Sequence, residues 1–214
     1  MSARERILAR IRERQGKPDA ATPDEFETVR SHVAAHPRNP QPRDVWDPLT
    51  RFRERALSLA STVETAGSPA EVPALVAAYL RERALPLHGV CWRELAGLDW
   101  RAAGVAVDVR PARGTDLVGI TGAYCAIAET GTLMTVSGAE TPPSVSLLPE
   151  THVAIVRRER IVRSMEDAWA LLRSEKAIPR AVNFISGPSR TADIEQTVTL
   201  GAHGPYRVHI VIVS

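Results

Sequence analysis

The run "RVHIVIV" at residues 207–213 is apolar at nearly every position. A strand with water on one side alternates polar and apolar residues. A continuous run of β-branched residues therefore belongs to a strand covered on both faces, as inside a parallel sheet. Working back through the chain, similar short runs occur at Val182–Ile185, His152–Arg157, Leu133–Val136, Leu117–Ile120, Val105–Val109 and Leu87–Cys91.

Helix starts separate these runs. Ser2-x-x-Glu5, Thr22-Pro-Asp-Glu25 and Ser68-Pro-Ala-Glu71 read as capping boxes, and Asp47-Pro48 is a start of the same kind. Proline at the first helical position removes an N–H that would have no partner there. After Asp47, the residues Phe52, Ala56, Leu59, Ala60 and Val63 recur at helical spacing; after Ser68, Val72, Leu75, Val76, Tyr79 and Leu80 do the same. Ser164-x-x-Asp167 opens another helix, with Met165, Ala168, Trp169 and Leu172 facing inward. Helices alternating with strands predict an α/β fold around a mostly parallel central sheet.

Residues 1–45 are different. A short amphipathic helix carries only Ile7, Leu8 and Ile11 on its apolar side, and Pro23, Pro37, Pro40 and Pro42 follow. This segment reads as an N-terminal helical arm and linker, with the folded domain spanning 46–214.

The composition narrows the function. Net charge is +2 and aromatic residues make up 5% of the chain, with no basic block interleaved with stacking rings, so nucleic acid is not an expected partner. No apolar run approaches the roughly 20 residues of a membrane helix, and the charged N-terminus has no apolar signal core. A cytoplasmic protein without a membrane span is expected. Cys91 and Cys125 are the two cysteines and form no CxxC pair. Neither an iron–sulfur cluster nor a metal is expected on this chain, and the thiols read as buried and inert.

Small and polar residues concentrate against the strands in "GITGAYCAIAETGTLMTVSG" (119–138), "PSVSLLPETHVAIV" (143–156), "ISGPSRTADIE" (185–195) and "LGAHGP" (200–205). In the first, Glu129-Thr130-Gly131-Thr132 interrupts two apolar stretches. A carboxylate there needs partners, supplied either by a ligand-binding role as base or nucleophile or by the Thr130 or Thr132 hydroxyls. The third reads as strand–turn–helix. Gly187 would let a ligand approach the backbone, Ser189 or Thr191 would cap the helix carrying Ile194 and Val198, and Arg190 could grip phosphate or carboxylate. The plainer alternative is a capped turn with Asp193 at the positive end of the helix. His203, between Gly201 and Gly204, could move protons or bind an anion, whereas His88 and His209 lie within strands and read as core. No second ligand stands at metal spacing from His203.

"GITGAYCAIAETGT", "PPSVSLLPETHVAIV" and "ISGPSRTADIEQTVTLGAHGPYRVHIVIV" together resemble the lactate-utilisation (LUD) domain family over about residues 45–214. The resemblance implies the fold of glucosamine-phosphate isomerases, ribose-phosphate isomerases and coenzyme A transferases, a three-layer α/β sandwich. It also implies work in L-lactate oxidation to pyruvate alongside iron–sulfur partner proteins. Under it, Glu129 and His203 would be catalytic. Thr130, Gly131, Thr132, Gly187, Ser189, Arg190, Thr191, Asp193 and Gly204 would bind a carboxylate or an anionic cofactor whose identity the residues do not disclose. Two alternatives stand beside this. One is a non-catalytic scaffold subunit of the same complex. The other is an enzyme like coenzyme A transferase or 5-formyltetrahydrofolate cyclo-ligase, although Lys17 and Lys176 are the only lysines and no lysine-bearing phosphate loop is present.

Overall fold

A computed structural model describes residues 2–18, 20–38, 40, 45–175, 177–191 and 199–214. The chain divides into two compact units, Met1–Asp44 and Val45–Ser214. The first holds helices α1 (Ala3–Gln15) and α2 (Pro23–Ala35), each opened by a complete capping box, at Ser2/Glu5 and Thr22/Glu25. Neither helix buries a residue. Ile7, Leu8 and Ile11 of α1 and Phe26, Val29 and Val33 of α2 are all exposed.

In the second unit, α3 (Pro48–Ser58) leads into strand β1 (Thr62–Ala66). Asp47 caps α3 by accepting from the Thr50 N–H, as the Asp-Pro start predicts. The helix ends sooner than its apolar spacing suggests. Leu59 is its C-cap, Ala60 turns into the left-handed region at φ 66°, and Val63 belongs to a strand that the helical reading had absorbed. The Ser68 start also differs, because a single 3₁₀ turn (Pro69–Glu71) precedes α4 (Val72–Glu82). Ser68 makes no capping bond there, while the Glu71 carboxylate accepts from the Gly67 N–H.

Strands β2 (His88–Cys91), β3 (Ala106–Val109), β4 (Val118–Gly122), β5 (Cys125–Ile127) and β6 (Thr132–Val136) follow. After them come α5 (Ser144–Leu147), β7 (Thr151–Arg157), β8 (Ile161–Val162) and α6 (Met165–Glu175). The chain closes with β9 (Val182–Ile185), β10 (Arg190–Thr191), β11 (Thr199–Leu200) and β12 (Arg207–Val213). The central sheet has the order β1-β12-β7-β4-β2-β3 with every pair parallel, and a second sheet has the order β8-β5-β6-β9. The expected α/β architecture with a mostly parallel central sheet is what the chain adopts.

The unbroken apolar run of β12 is explained by its place between β1 and β7, with a core on each face. On one face Val76, Leu80 and their α4 neighbours pack over Val153, Val211 and Val213. On the other, Phe52 and Ala56 of α3 and Ala126, Ala128 and Leu133 of the second sheet pack over Val208, Ile210 and Ile212. Ala168 and Leu172 of α6 close the outer face of the second sheet against Cys125, Ile127 and Met134. Both thiols are buried, and desolvation pushes Cys91 up to about 11 and Cys125 up to about 12, which keeps them protonated and unreactive.

Two histidines sit inside this core. His209 stacks on Tyr79 with ring centroids 3.9 Å apart and shares a hydrogen bond with Thr62; His152 shares one with Thr121 at 2.8 Å. His88, expected in the core, lies exposed at the start of β2, 3.3 Å from Asp108, because β2 enters the sheet beside the edge strand.

Burial pushes His152 and His209 down to about 4, below the ordinary imidazole value near 6.5. The unfolded chain therefore binds more protons between those limits. Stability is fully present above about pH 6.5 and is lost as pH falls toward 4. Urea unfolding at pH 7 and pH 5 should differ by about 2 kcal/mol per histidine, and His209→Gln should remove roughly half of that difference. A pH-independent midpoint across this range would contradict the neutral, buried state of these rings.

Candidate functional site

The motif residues gather around the last turn of α3. Glu129 follows β5 in a hairpin closed by the Gly131 N–H donating to the Ile127 carbonyl, and the Arg55 side chain of α3 donates to the Glu129 carbonyl. Gly131 holds φ 70°, and a Cβ there would stand 2.6 Å from the backbone nitrogen of Ala56. Gly187 holds φ 77°, and a Cβ there would run into the Leu59 carbonyl. The Arg190 guanidinium donates to that same carbonyl at 3.2 Å. Glycine is required at both positions, since a side chain would need the left-handed conformation and the space that helix backbone already fills.

A chain of hydroxyls joins the two loops. Thr130 Oγ1 donates to Thr132 Oγ1, which lies 2.7 Å from Ser186 Oγ. The Thr hydroxyls thus bond each other and not the Glu129 carboxylate, which has no polar partner among the described residues. Ser189 connects the third segment: its N–H donates to the Pro205 carbonyl, and its carbonyl accepts from the Gly201 N–H. Gly204 lies against the Ser189 side chain, and His203 is exposed on this turn. The structure therefore brings Glu129, Thr130, Gly131, Thr132, Gly187, Ser189, Arg190 and Gly204 into one continuous junction, with His203 at its rim.

For Ser189 the expectation fails: Arg190 and Thr191 form β10, paired antiparallel with Thr199 and Leu200 of β11, so no helix starts at Arg190. The stretch that Thr191 would cap begins beyond the described residues. Asp193, with Ile194 and Val198, lies outside the described residues.

The position of the junction matters as much as its contents. Leu59 stands just before β1 and Pro205 just before β12, so these contacts lie at the amino ends of parallel strands. At the carboxyl ends of β2, β4 and β7 a separate crevice of about 290 Å³ opens, lined by Glu94, Tyr124, Arg157, Arg160 and Glu175. In open parallel sheets, ligands favour the carboxyl ends at the point where successive connections leave in opposite directions. Here β2 connects outward to β3 while β4 leads toward β7. Sequence reasoning passed over these five residues, although Arg157 was findable as the charged residue that ends the expected strand His152–Arg157. Among the described residues no group of three His, Cys, Asp or Glu side chains is placed to hold a metal, and no helix is long and apolar enough to cross a membrane.

The chain is thus an α/β domain on an open parallel sheet, with a glycine-pinned helix and a hydroxyl-lined junction at one end. Residues 49–213 match the LUD domain, and the chain belongs to that family. It is 35% identical over 120 residues to lactate utilization protein C of Bacillus licheniformis, covering 54% of this chain and 50% of that one. It is 41% identical over 101 residues to lactate utilization protein C of Bacillus subtilis, covering 45% and 42%. The chain thus spans about half the length of the curated relatives it matches. A DUF162 family protein from Deinococcus radiodurans shares the fold at TM-score 0.55 and 24% identity, covering 78% of this chain and 96% of that one.

Gly131→Ala and Gly187→Ala should each destabilise the fold by roughly 2–5 kcal/mol, combining left-handed strain with overpacking against α3. Gly204→Ala, whose Cβ would make only ordinary contact with Ser189 at 3.4 Å, should stay within about 1 kcal/mol. Chemical denaturation of the three variants checks this ordering.

Proposed function

We propose that this chain is a subunit of an L-lactate utilisation system, working with iron–sulfur partner proteins that carry electrons from lactate as pyruvate forms. The observation that carries this reading is the 35–41% identity to chains called lactate utilization protein C. In this reading the junction at the end of α3 binds a carboxylate or an anionic cofactor. Arg190 supplies charge there, Thr130, Thr132 and Ser189 supply hydroxyls, and Glu129 or His203 moves a proton. The Glu129 carboxylate has no polar partner among the described residues, and in this reading its oxygens are open to a ligand's proton.

Glu129→Gln keeps size and shape while removing the charge. It should abolish lactate-dependent growth with an unchanged thermal unfolding midpoint. Wild-type growth of a strain carrying the variant would remove Glu129 from the chemistry.

A second reading, a non-catalytic scaffold for the iron–sulfur partners, is favoured by α1 and α2, whose six large apolar side chains are all exposed. Such stripes at helical spacing are what a partner's groove receives. Deleting residues 2–20 should then abolish co-purification of the partners while Glu129→Gln leaves it intact. The reverse pattern would favour the junction.

A further inference from the structure

We propose that the crevice at the carboxyl ends of β2, β4 and β7 is a binding site for a small 2-hydroxycarboxylate, held by Arg157 and Glu94. The choice of a hydroxy acid over other ligands of the same charge rests on the lactate-utilisation reading; the site itself rests on the geometry.

One wall of the crevice is built and fixed. Arg160 pairs with both carboxylate oxygens of Glu175 at 2.9 Å, and the Tyr124 hydroxyl donates to Glu175 at 2.8 Å. The Arg160 guanidinium also lies over the Tyr124 ring at 5.5 Å. Burial, reinforced by Glu175, pushes the Tyr124 phenol up to about 12, so it remains a donor. The floor is apolar, formed by Leu95 and Ile155 of the core.

The opposite wall is uncommitted. Arg157 ends β7 and Glu94 follows β2; both line the crevice, both are exposed, and neither side chain has a polar partner among the described residues. Glu94 lies across the end of β4 in space left by Gly122, where any Cβ would collide with its carboxylate. A free guanidinium and a free carboxylate facing one cavity match a ligand that carries a carboxylate and, beside it, a hydrogen-bond donor. The guanidinium takes the carboxylate through paired N–H donors, and Glu94 accepts from the neighbouring hydroxyl. Inorganic phosphate fits less well, because its second charge would face Glu94 with Glu175 nearby. The volume, about 290 Å³, is at the small end for ligand pockets and suits a metabolite-sized acid.

The test is calorimetric titration of the full chain with L-lactate, glycolate, propionate and inorganic phosphate, in the wild type, Arg157→Gln and Glu94→Gln. Both substituted side chains are exposed and unpaired, so the variants should keep the wild-type melting curve. Arg157→Gln should weaken lactate and glycolate about 10- to 100-fold, the range for losing a charged hydrogen bond. Wild-type protein should prefer lactate to propionate at least about tenfold, and Glu94→Gln, which keeps an acceptor oxygen but loses the charge, should narrow that preference. The proposal is overturned if neither hydroxy acid binds saturably, if Arg157→Gln leaves their affinity unchanged, or if phosphate or propionate binds as tightly as lactate. Deleting the gene separates the two ideas. Growth on lactate that survives the deletion, alongside hydroxy-acid binding in the crevice, sinks the functional reading and keeps the site. Lost growth with no binding does the opposite.

Discussion

The helix Pro48–Ser58 buries one narrow face against both sheets, and the junction loops depend on that contact. Phe52 and Ala56 are fully buried in one cluster with residues of the parallel sheet and of the second sheet. Helix backbone can lie this close to the Glu129 hairpin and the Gly187 turn only because both carry glycine at the point of contact. The Leu59 carbonyl, which would otherwise lack a partner at the helix end, is satisfied by Arg190. Two loops far apart in the chain are thereby fixed to one helical turn.

This arrangement gives the motif residues a structural duty alongside any chemical one. Gly131 and Gly187 are accounted for by packing alone, and Arg190 is partly occupied as a helix cap. Thr132 is buried in a hydroxyl chain with Thr130 and Ser186. Among the described members of the junction, Glu129 and His203 are the groups whose side chains packing does not explain. The two ends of the parallel sheet also differ in kind. The amino end is knitted together by backbone contacts through Ser189 and Pro205, whereas the carboxyl end holds an open crevice with unpaired charges of both signs.

The first 44 residues form a unit whose helices are well capped yet bury nothing. Capping and charge pairs such as Lys17 with Glu25 stabilise a helix locally. They do not supply the apolar burial that gives most helices in folded proteins their stability, so these stripes are suited to meet another surface.

Local physics made much of the fold legible in advance. The uninterrupted apolar run at 207–213 required cover on both faces, and Asp47-Pro48, Ser2/Glu5 and Thr22/Glu25 marked helix starts through bonds formed within four residues. The short strand Thr62–Ala66 was hidden because Val63 continued the helical spacing of Phe52 and Ala56, and only pairing with β12 makes it a strand. Likewise, Ser189 and Arg190 read as a helix start until pairing with Leu200 makes Arg190 part of a strand. Sequence by itself determined which residues are apolar, which cap, and which are too small to hold a helix away. Tertiary structure alone decided that the Glu129 and Gly187 loops share one helical turn, and that Glu94, Tyr124, Arg157, Arg160 and Glu175 share one crevice. Those neighbours are set by the order of strands in the sheet, and strand order has no local signature in the chain.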